Sequence, residues 1–203
     1  MKKLNFIIKY GLALLLLSFY SCESWLNVTP SDRLSEEMLF NDREGFVKAL
    51  NGVYIELNTN ELYGRNLTAG ALDVMGQYYS VASSSHAFYN YGGLVYTGND
   101  EKALFDNMWQ KCYAVIACCN TIIEKCDENK AGLSPVWKGS IKGEALALRA
   151  MLHFDMLRLF GPLTSELDKE SIPYQTNSDQ TVTPLLSRSE ERRVGKECRS
   201  RWS

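Results

Sequence analysis

Two long stretches of apolar residues at helical spacing dominate the middle of this 203-residue chain. Apolar residues that return every three or four positions form one face of an α-helix. The first stretch contains Leu104, Met108, Cys112, Val115 or Ile116, Cys119 and Ile123. The second contains Trp137, Ile141, Ala145, Leu148, Leu152 and Leu159. It begins at Ser134-Pro135, a helix cap followed by a proline at the first helical position, and it ends at Gly161-Pro162. A polar turn over 127–133 lies between them, so the sequence predicts two antiparallel helices.

A shorter helix precedes this pair. Phe46, Leu50, Val53 and Leu57 recur at spacings of four, three and four residues. We therefore expect helices over 44–58, 100–126 and 135–160, and a mainly α fold of tetratricopeptide-like helical hairpins. No strict repeat of about 34 residues is visible, however. The periodicity fails from Thr59 to Asp100, which predicts a long irregular insert, and such inserts are often functional.

The N-terminus has the pattern of a secretory signal. Lys2 and Lys3 precede a mostly apolar run over 6–20, which ends at Ser21-Cys22. A cysteine directly after such a break is typical of a bacterial lipobox, in which signal peptidase II cuts before the cysteine and the thiol carries lipid. We therefore interpret 1–21 as a lipoprotein signal peptide and Cys22 as the lipidated mature N-terminus. An uncleaved transmembrane anchor and a plain secreted protein are the alternatives, although the run is shorter than the roughly 20 residues that span a bilayer.

Three of the six cysteines share one predicted helix face. Cys112, Cys119 and Cys126 are seven residues apart, so neighbours on the helix differ by about 10.5 Å in axial rise, too far for a disulfide. Cys118-Cys119 does not fit a CxxC metal pattern, and no histidine is nearby in sequence. We interpret these thiols as small core residues in preference to metal ligands or a disulfide, and we expect no metal and no cofactor.

Three segments resemble the SusD/RagB family. They are Cys22 to Pro30, with its Trp25-Leu26-Asn27; Met108 to Ile123, with Trp109, Tyr113 and Asn120; and Gly143 to Leu163, with Leu148-Arg149-Ala150, His153-Phe154-Asp155 and Gly161-Pro162. Members of that family are surface-exposed lipoproteins of the outer membrane. They work in nutrient uptake with SusC-like TonB-dependent transporters. The resemblance thus implies a lipid-anchored protein that faces the exterior and has a transporter as its partner.

The family's members are about twice as long as this chain or longer. We therefore interpret 22–186 as the N-terminal part of a SusD-like helical domain, which would be incomplete. Residues 187–203 have no amphipathic period and resemble a translated vector or adapter sequence, so we treat them as an unrelated tail. Without this tail and the signal, residues 22–186 carry a net charge of about −8. Such an acidic body does not suit nucleic-acid binding.

No enzyme constellation is recognisable. The two histidines are His86 in the insert and His153 in the second long helix, for which we expect a structural role. Glu144 and Arg149 are candidates for hydrogen bonds between helices, and Asp155 with Arg158 for an ion pair on one helix. We therefore expect a binding protein. A glycosidase would need two carboxylates that face a cleft, and nothing in the sequence nominates them.

The insert is the candidate ligand site. It contains Tyr78, Tyr79, Phe88, Tyr89, Tyr91 and Tyr96, and its polar candidates are Asp73, Asn90, Asn99 and Asp100. Aromatic rings bind the C–H faces of sugars, while carboxylates and amides bind the hydroxyls. We predict ligand contacts from Asp73, Tyr89, Tyr91, Tyr96 and Asn99. The alternative is that the tyrosines pack the insert against the helices.

Two functions are consistent with these features. In the first, the protein captures a nutrient, an oligosaccharide or another class such as a peptide, for a TonB-dependent transporter. In the second, it is a tetratricopeptide-like scaffold lipoprotein of the cell envelope with no small-molecule ligand. Binding to a panel of glycans distinguishes them.

Overall fold

The helices begin and end close to where the sequence predicts them. The computed structural model describes residues 36–163, 165–166, 168–179 and 185–187. Within these ranges the helices are α1 (Glu36–Leu39), α2 (Arg43–Leu57), α3 (Ala71–Met75), α4 (Tyr89–Gly92), α5 (Asn99–Glu128) and α6 (Pro135–Phe160). Two short antiparallel strands follow, β1 (Glu170–Pro173) and β2 (Leu185–Ser187). The prediction of a mainly helical fold is confirmed, whereas the tetratricopeptide-like arrangement stays a prediction. The signal segment, Cys22 and residues 188–203 lie outside the described ranges.

Side chains at the helix ends explain these boundaries. Asp42 caps α2, because its Oδ1 accepts a hydrogen bond of 2.8 Å from the amide of Gly45. Ser134 caps α6 in the same way by accepting from the amide of Trp137. Asn129 ends α5 in the left-handed conformation, with φ of 49°. Its Oδ1 accepts a hydrogen bond of 2.8 Å from the amide of Leu133, which closes the turn between α5 and α6.

The hydrophobic core lies mainly between α5 and α6. Cys112, Cys119 and Cys126 are all buried on the α5 face that the sequence predicts. Burial raises the pKa of the Cys112 and Cys119 thiols to about 12, so both are protonated and unreactive at neutral pH. Opposite them, α6 contributes Ile141, Ala145, Leu148, Leu152 and Met156.

Among the described helices, none combines the length and the apolar character that a bilayer crossing needs.

Helix α2 packs across both long helices. It buries Phe46, Leu50, Val53 and Leu57. At its surface-facing side, the Tyr54 hydroxyl donates to Glu144 of α6, and Glu56 pairs with Lys111 of α5. The hydrogen bonds between helices that the sequence predicts for Glu144 and Arg149 are confirmed, since Arg149 of α6 donates to Asn120 of α5 at 2.7 Å.

The segment 174–179, which follows β1, lies along α5 and α6 and is held by their polar side chains. Asn120 is fully buried, and its Nδ2 donates to the carbonyls of Gln175 and Asn177 at 3.2 and 2.8 Å. Arg149 donates to the carbonyl of Thr176 at 3.1 Å. The backbone groups of this segment therefore bond to side chains in place of a strand partner.

His153 fixes the same segment through both ring nitrogens. Its Nδ1 donates to the carbonyl of Arg149 at 3.0 Å, and its Nε2 accepts from the amide of Gln175 at 3.2 Å. The Tyr174 ring stacks on the imidazole at 4.6 Å between centroids. This pattern requires a neutral imidazole with its proton on Nδ1. The structural role that the sequence predicts for His153 is confirmed.

The buried imidazole makes the fold sensitive to acid. Burial lowers the pKa of His153 from 6.5 to about 4, so the unfolded chain binds this proton more readily than the folded chain. Folding stability is therefore full above pH 6.5 and falls as pH drops toward 4, by roughly 3 kcal/mol in total from this group. We expect the melting temperature to fall between about pH 7 and pH 5. A His153→Gln protein should be less stable at neutral pH and should lose this part of the pH dependence.

The chain offers a matched control in its other histidine. His86 is exposed, so the His86→Gln protein should retain the full pH dependence. Equal slopes for the native and His153→Gln proteins in thermal melts followed by circular dichroism would contradict the assignment.

Candidate ligand-binding cleft

The insert between α2 and α5 is anchored by a few buried side chains. Leu62 and Leu67 enter the core, and Asn66 is 4% exposed. Helices α3 and α4 then pack against each other, with Gly92 of α4 beside Val74 of α3. A Cβ atom at Gly92 would lie 3.4 Å from Val74 Cγ1, which is an ordinary van der Waals distance. The insert is thus an ordered element that presents its remaining residues to solvent.

A surface cleft of about 360 Å³ opens where the ends of α3 and α4 meet. Its lining residues are Gln77, Tyr79, Ser80, Val81, Tyr89, Asn90, Gly92, Gly93 and Val95. None of them is charged. The rings of Tyr79 and Tyr89 remain 59% and 42% exposed, so their faces are available to a ligand. The volume lies near the lower end of the range for small-molecule sites, roughly 300–1,000 Å³.

Two amide side chains give the cleft its polar character. Gln77 has a left-handed backbone, with φ of 60°, and its Nε2 donates to the carbonyl of Gly92 at 2.9 Å. Asn90 donates through Nδ2 to Oε1 of Glu101 at 2.7 Å. Glu101 is only 5% exposed and lies in the first turn of α5, where the helix dipole stabilises negative charge. Both amides are therefore held in one orientation by hydrogen-bond acceptors of the protein.

The tyrosines of the insert divide into two roles. Tyr89 lines the cleft, whereas Tyr91 is 3% exposed and does not. The Tyr91 ring makes edge-to-face contacts with Phe88 and Phe105 at 5.8 and 6.0 Å between centroids. Tyr96 also packs edge-on against Phe105, at 5.5 Å, and does not line the cleft. Burial raises the pKa of both hydroxyls. In this structure Tyr91 and Tyr96 are packing residues, which corresponds to the alternative that the sequence left open for them.

The two polar residues of the prediction also lie outside the cleft lining. Asp73 is half-buried in α3, and Asn99 is the exposed first residue of α5. The cleft is lined instead by Gln77, Tyr79 and Asn90. Of these, the sequence suggests Asn90 as a possible hydrogen-bond partner for sugar hydroxyls. The sequence contains no signal for Gln77, because its position depends on a left-handed turn between two very short helices. Ligand binding by the five predicted residues stays a prediction.

Within the described ranges, no three histidine, cysteine, aspartate or glutamate side chains come together as a metal site would require. Asp155, which is buried, pairs with Arg158 as the sequence predicts and also accepts from the Tyr63 hydroxyl. The ionisable side chains of α6 therefore bond to one another and to the neighbouring elements.

Comparisons with known proteins agree on one family. Residues 24–198 match the SusD-like family model that is described as "starch-binding associating with outer membrane". SusD-like protein P2 of Formosa agariphila is 25% identical over 166 residues, which is 79% of this chain and 30% of that protein. SusD-like protein P25 of the same organism is 23% identical over 206 residues, which is 91% of this chain and 36% of that protein.

A solved structure has the same fold. It is the crystal structure of a SusD superfamily protein from Bacteroides thetaiotaomicron, with a TM-score of 0.57 and 20% sequence identity. The match covers 76% of this chain and 35% of that one. The chain thus spans about a third of the length of each of these relatives.

The division between packing and exposed tyrosines is testable by thermal melts. Replacing the buried ring in Tyr91→Ala should cost about 3 kcal/mol and lower the melting temperature by roughly 2–4 °C per kcal/mol. The matched change Tyr89→Ala removes an exposed ring and should shift stability by no more than about 0.5 kcal/mol. Equal shifts for the two proteins would show that the assignment is wrong.

Proposed function

This chain belongs to the SusD-like family of starch-binding proteins that associate with the outer membrane, and from this premise we propose that it captures oligosaccharide at the cell surface for a SusC-like TonB-dependent transporter. The site is the cleft that is lined by α4, by the segment after α3 and by the residues after α4. Two exposed tyrosine rings offer platforms for the C–H faces of a sugar, and the amides of Gln77 and Asn90 offer partners for its hydroxyls. This combination is the observation that carries the proposal.

The chemistry of the cleft supports binding rather than catalysis. Glycoside hydrolysis needs two carboxyl groups on either side of the bond that is cut. The cleft lining has none, and the carboxylate of Glu101 lies behind Asn90. The protein would hand its ligand on unchanged.

Lipidation at Cys22 would place this cleft at the membrane surface. Because one acyl chain gives only marginal attachment, a stable anchor takes at least two, as bacterial lipoproteins carry. The acidic character of residues 22–186 is consistent with this position, since it keeps the body away from an anionic surface.

Oligosaccharide binding should depend on the two cleft tyrosines. In the Tyr79→Ala/Tyr89→Ala protein, affinity for maltohexaose should fall about tenfold, because two stacking contacts are lost. The melting temperature should stay nearly unchanged, since both rings are exposed. Saturation-transfer NMR is a suitable measurement, because it detects millimolar binding.

Tyr78 provides the control for this experiment. It is 80% exposed and does not line the cleft, so Tyr78→Ala should bind as the native protein does. Loss of binding in Tyr78→Ala, or full binding in the double variant, would place the site elsewhere. If no neutral glycan of a broad panel binds, the alternative of a scaffold lipoprotein gains support.

The anchor is tested separately in cells. Cys22→Ala should abolish incorporation of radiolabelled palmitate and release the protein from the membrane fraction, because the thiol that carries the lipid is gone. The matched change Ser24→Ala should alter neither result. A Cys22→Ala protein that still incorporates palmitate and remains with the membranes would refute lipidation at this residue.

A further inference from the structure

The orientation of the two cleft amides determines what they offer to a ligand. Asn90 donates through Nδ2 to the carboxylate of Glu101, so its carbonyl oxygen Oδ1 lies on the other side of the amide group. Gln77 donates through Nε2 to the carbonyls of Gly92 and Val74, at 2.9 and 3.4 Å. A carbonyl oxygen accepts hydrogen bonds and cannot donate them, so the nitrogen of Gln77 must face inward. Neither amide oxygen has a hydrogen-bond partner among the residues that the structure describes.

The side chains that line the cleft therefore offer a ligand more acceptors than donors. The two amide oxygens only accept hydrogen bonds, whereas the hydroxyls of Tyr79, Ser80 and Tyr89 both donate and accept. The lining has no lysine, arginine or histidine to neutralise a negative charge. The carboxylate of Glu101, which is buried and bonded to Asn90, repels anions.

The carboxylate of Glu101 packs closely against Gly98. A Cβ atom at Gly98 would lie 1.9 Å from Glu101 Oε2, so only glycine leaves room for the carboxylate there. The short hydrogen-bond distance of 2.7 Å to Asn90 is typical of a bond to a charged acceptor. The carboxylate can only accept from Asn90, so it holds the Asn90 NH2 group toward itself. An amide in its place can either accept from Asn90 or donate to it, so the Asn90 side chain would no longer be held in one orientation.

We infer that this cleft selects uncharged sugar units that donate hydrogen bonds, and that Glu101 sets this selectivity as a positioning residue by holding the Asn90 oxygen toward the ligand. The inference rests on the proposed function and adds the ligand class to it. Sugars with carboxylate or sulfate groups bring acceptors to a cleft that already presents acceptors, and they are disfavoured.

The test compares maltohexaose with hexagalacturonate, a neutral and an anionic hexamer. The native chain should bind the neutral hexamer at least about tenfold more tightly, because the anion meets unpaired acceptors. In Glu101→Gln this ratio should fall to about threefold or less, since Asn90 can then turn its NH2 group to the ligand. A change in selectivity is a readout that a purely structural role of Glu101 would not produce.

Asp100→Asn is the matched control for charge. It removes one negative charge from the neighbouring residue, which is exposed and forms no hydrogen bond with Asn90 among the described residues. Its selectivity should stay within about twofold of the native ratio. If Asp100→Asn lowers the ratio as much as Glu101→Gln does, the selectivity comes from overall charge and the positioning role is wrong.

A second variant keeps the test decisive if Glu101→Gln does not fold. Asn90→Ala changes an exposed side chain and should fold, and it should weaken maltohexaose binding about fivefold through loss of one acceptor. Equal or tighter binding of hexagalacturonate by the native chain would overturn the inference and leave the proposed function intact. Binding of neither hexamer, with no other glycan bound, would overturn both.

Discussion

The packing of α5 against α6 is the contact on which the other elements depend. Small residues such as Cys112, Cys119 and Ala145 are fully buried in the core that the two helices share. The turn at Asn129 and the cap at Ser134 fix where one helix ends and the other begins. Helix α2 and the segment 174–179 then bind to surfaces that exist only when this pair has formed.

The same helix pair carries polar residues whose role is structural. Asn120, Arg149 and His153 belong to the segments that resemble the family most closely, and all three bind the backbone of 175–177 or one another. Because these groups are shielded from water, loss of any one hydrogen bond would leave a buried polar group without a partner and would lower the stability of the fold. The network therefore favours one arrangement of the segment over others. These residues therefore hold the fold, whereas the residues that line the cleft all belong to the insert, at 77–95.

The sequence predicts the long helices well and the side-chain positions of the insert poorly. The boundaries of α2, α5 and α6 follow from apolar periodicity and capping residues, and they agree within one or two residues. In the insert, α4 has only four residues, which is too short for periodicity to show which side is buried. Tyr89 and Tyr91 are the same residue type, and it is the contacts of the Tyr91 ring with Phe88 and Phe105 that distinguish the packed ring from the exposed one. The orientation of Asn90 depends on Glu101, eleven residues later, and no local pattern reveals it.

We propose that the helical scaffold presents a sugar-binding cleft in the insert, beside α4 and the segment that follows α3. Chemical-shift mapping of the backbone amides during titration with maltohexaose tests it directly. The largest shifts should cluster at 77–81 and 89–95, with small changes along α5 and α6 beyond their first turns. Shifts concentrated on the outer surface of α6, around Ala147 and Phe154, would contradict the claim, because the ligand would then bind the scaffold and not the insert.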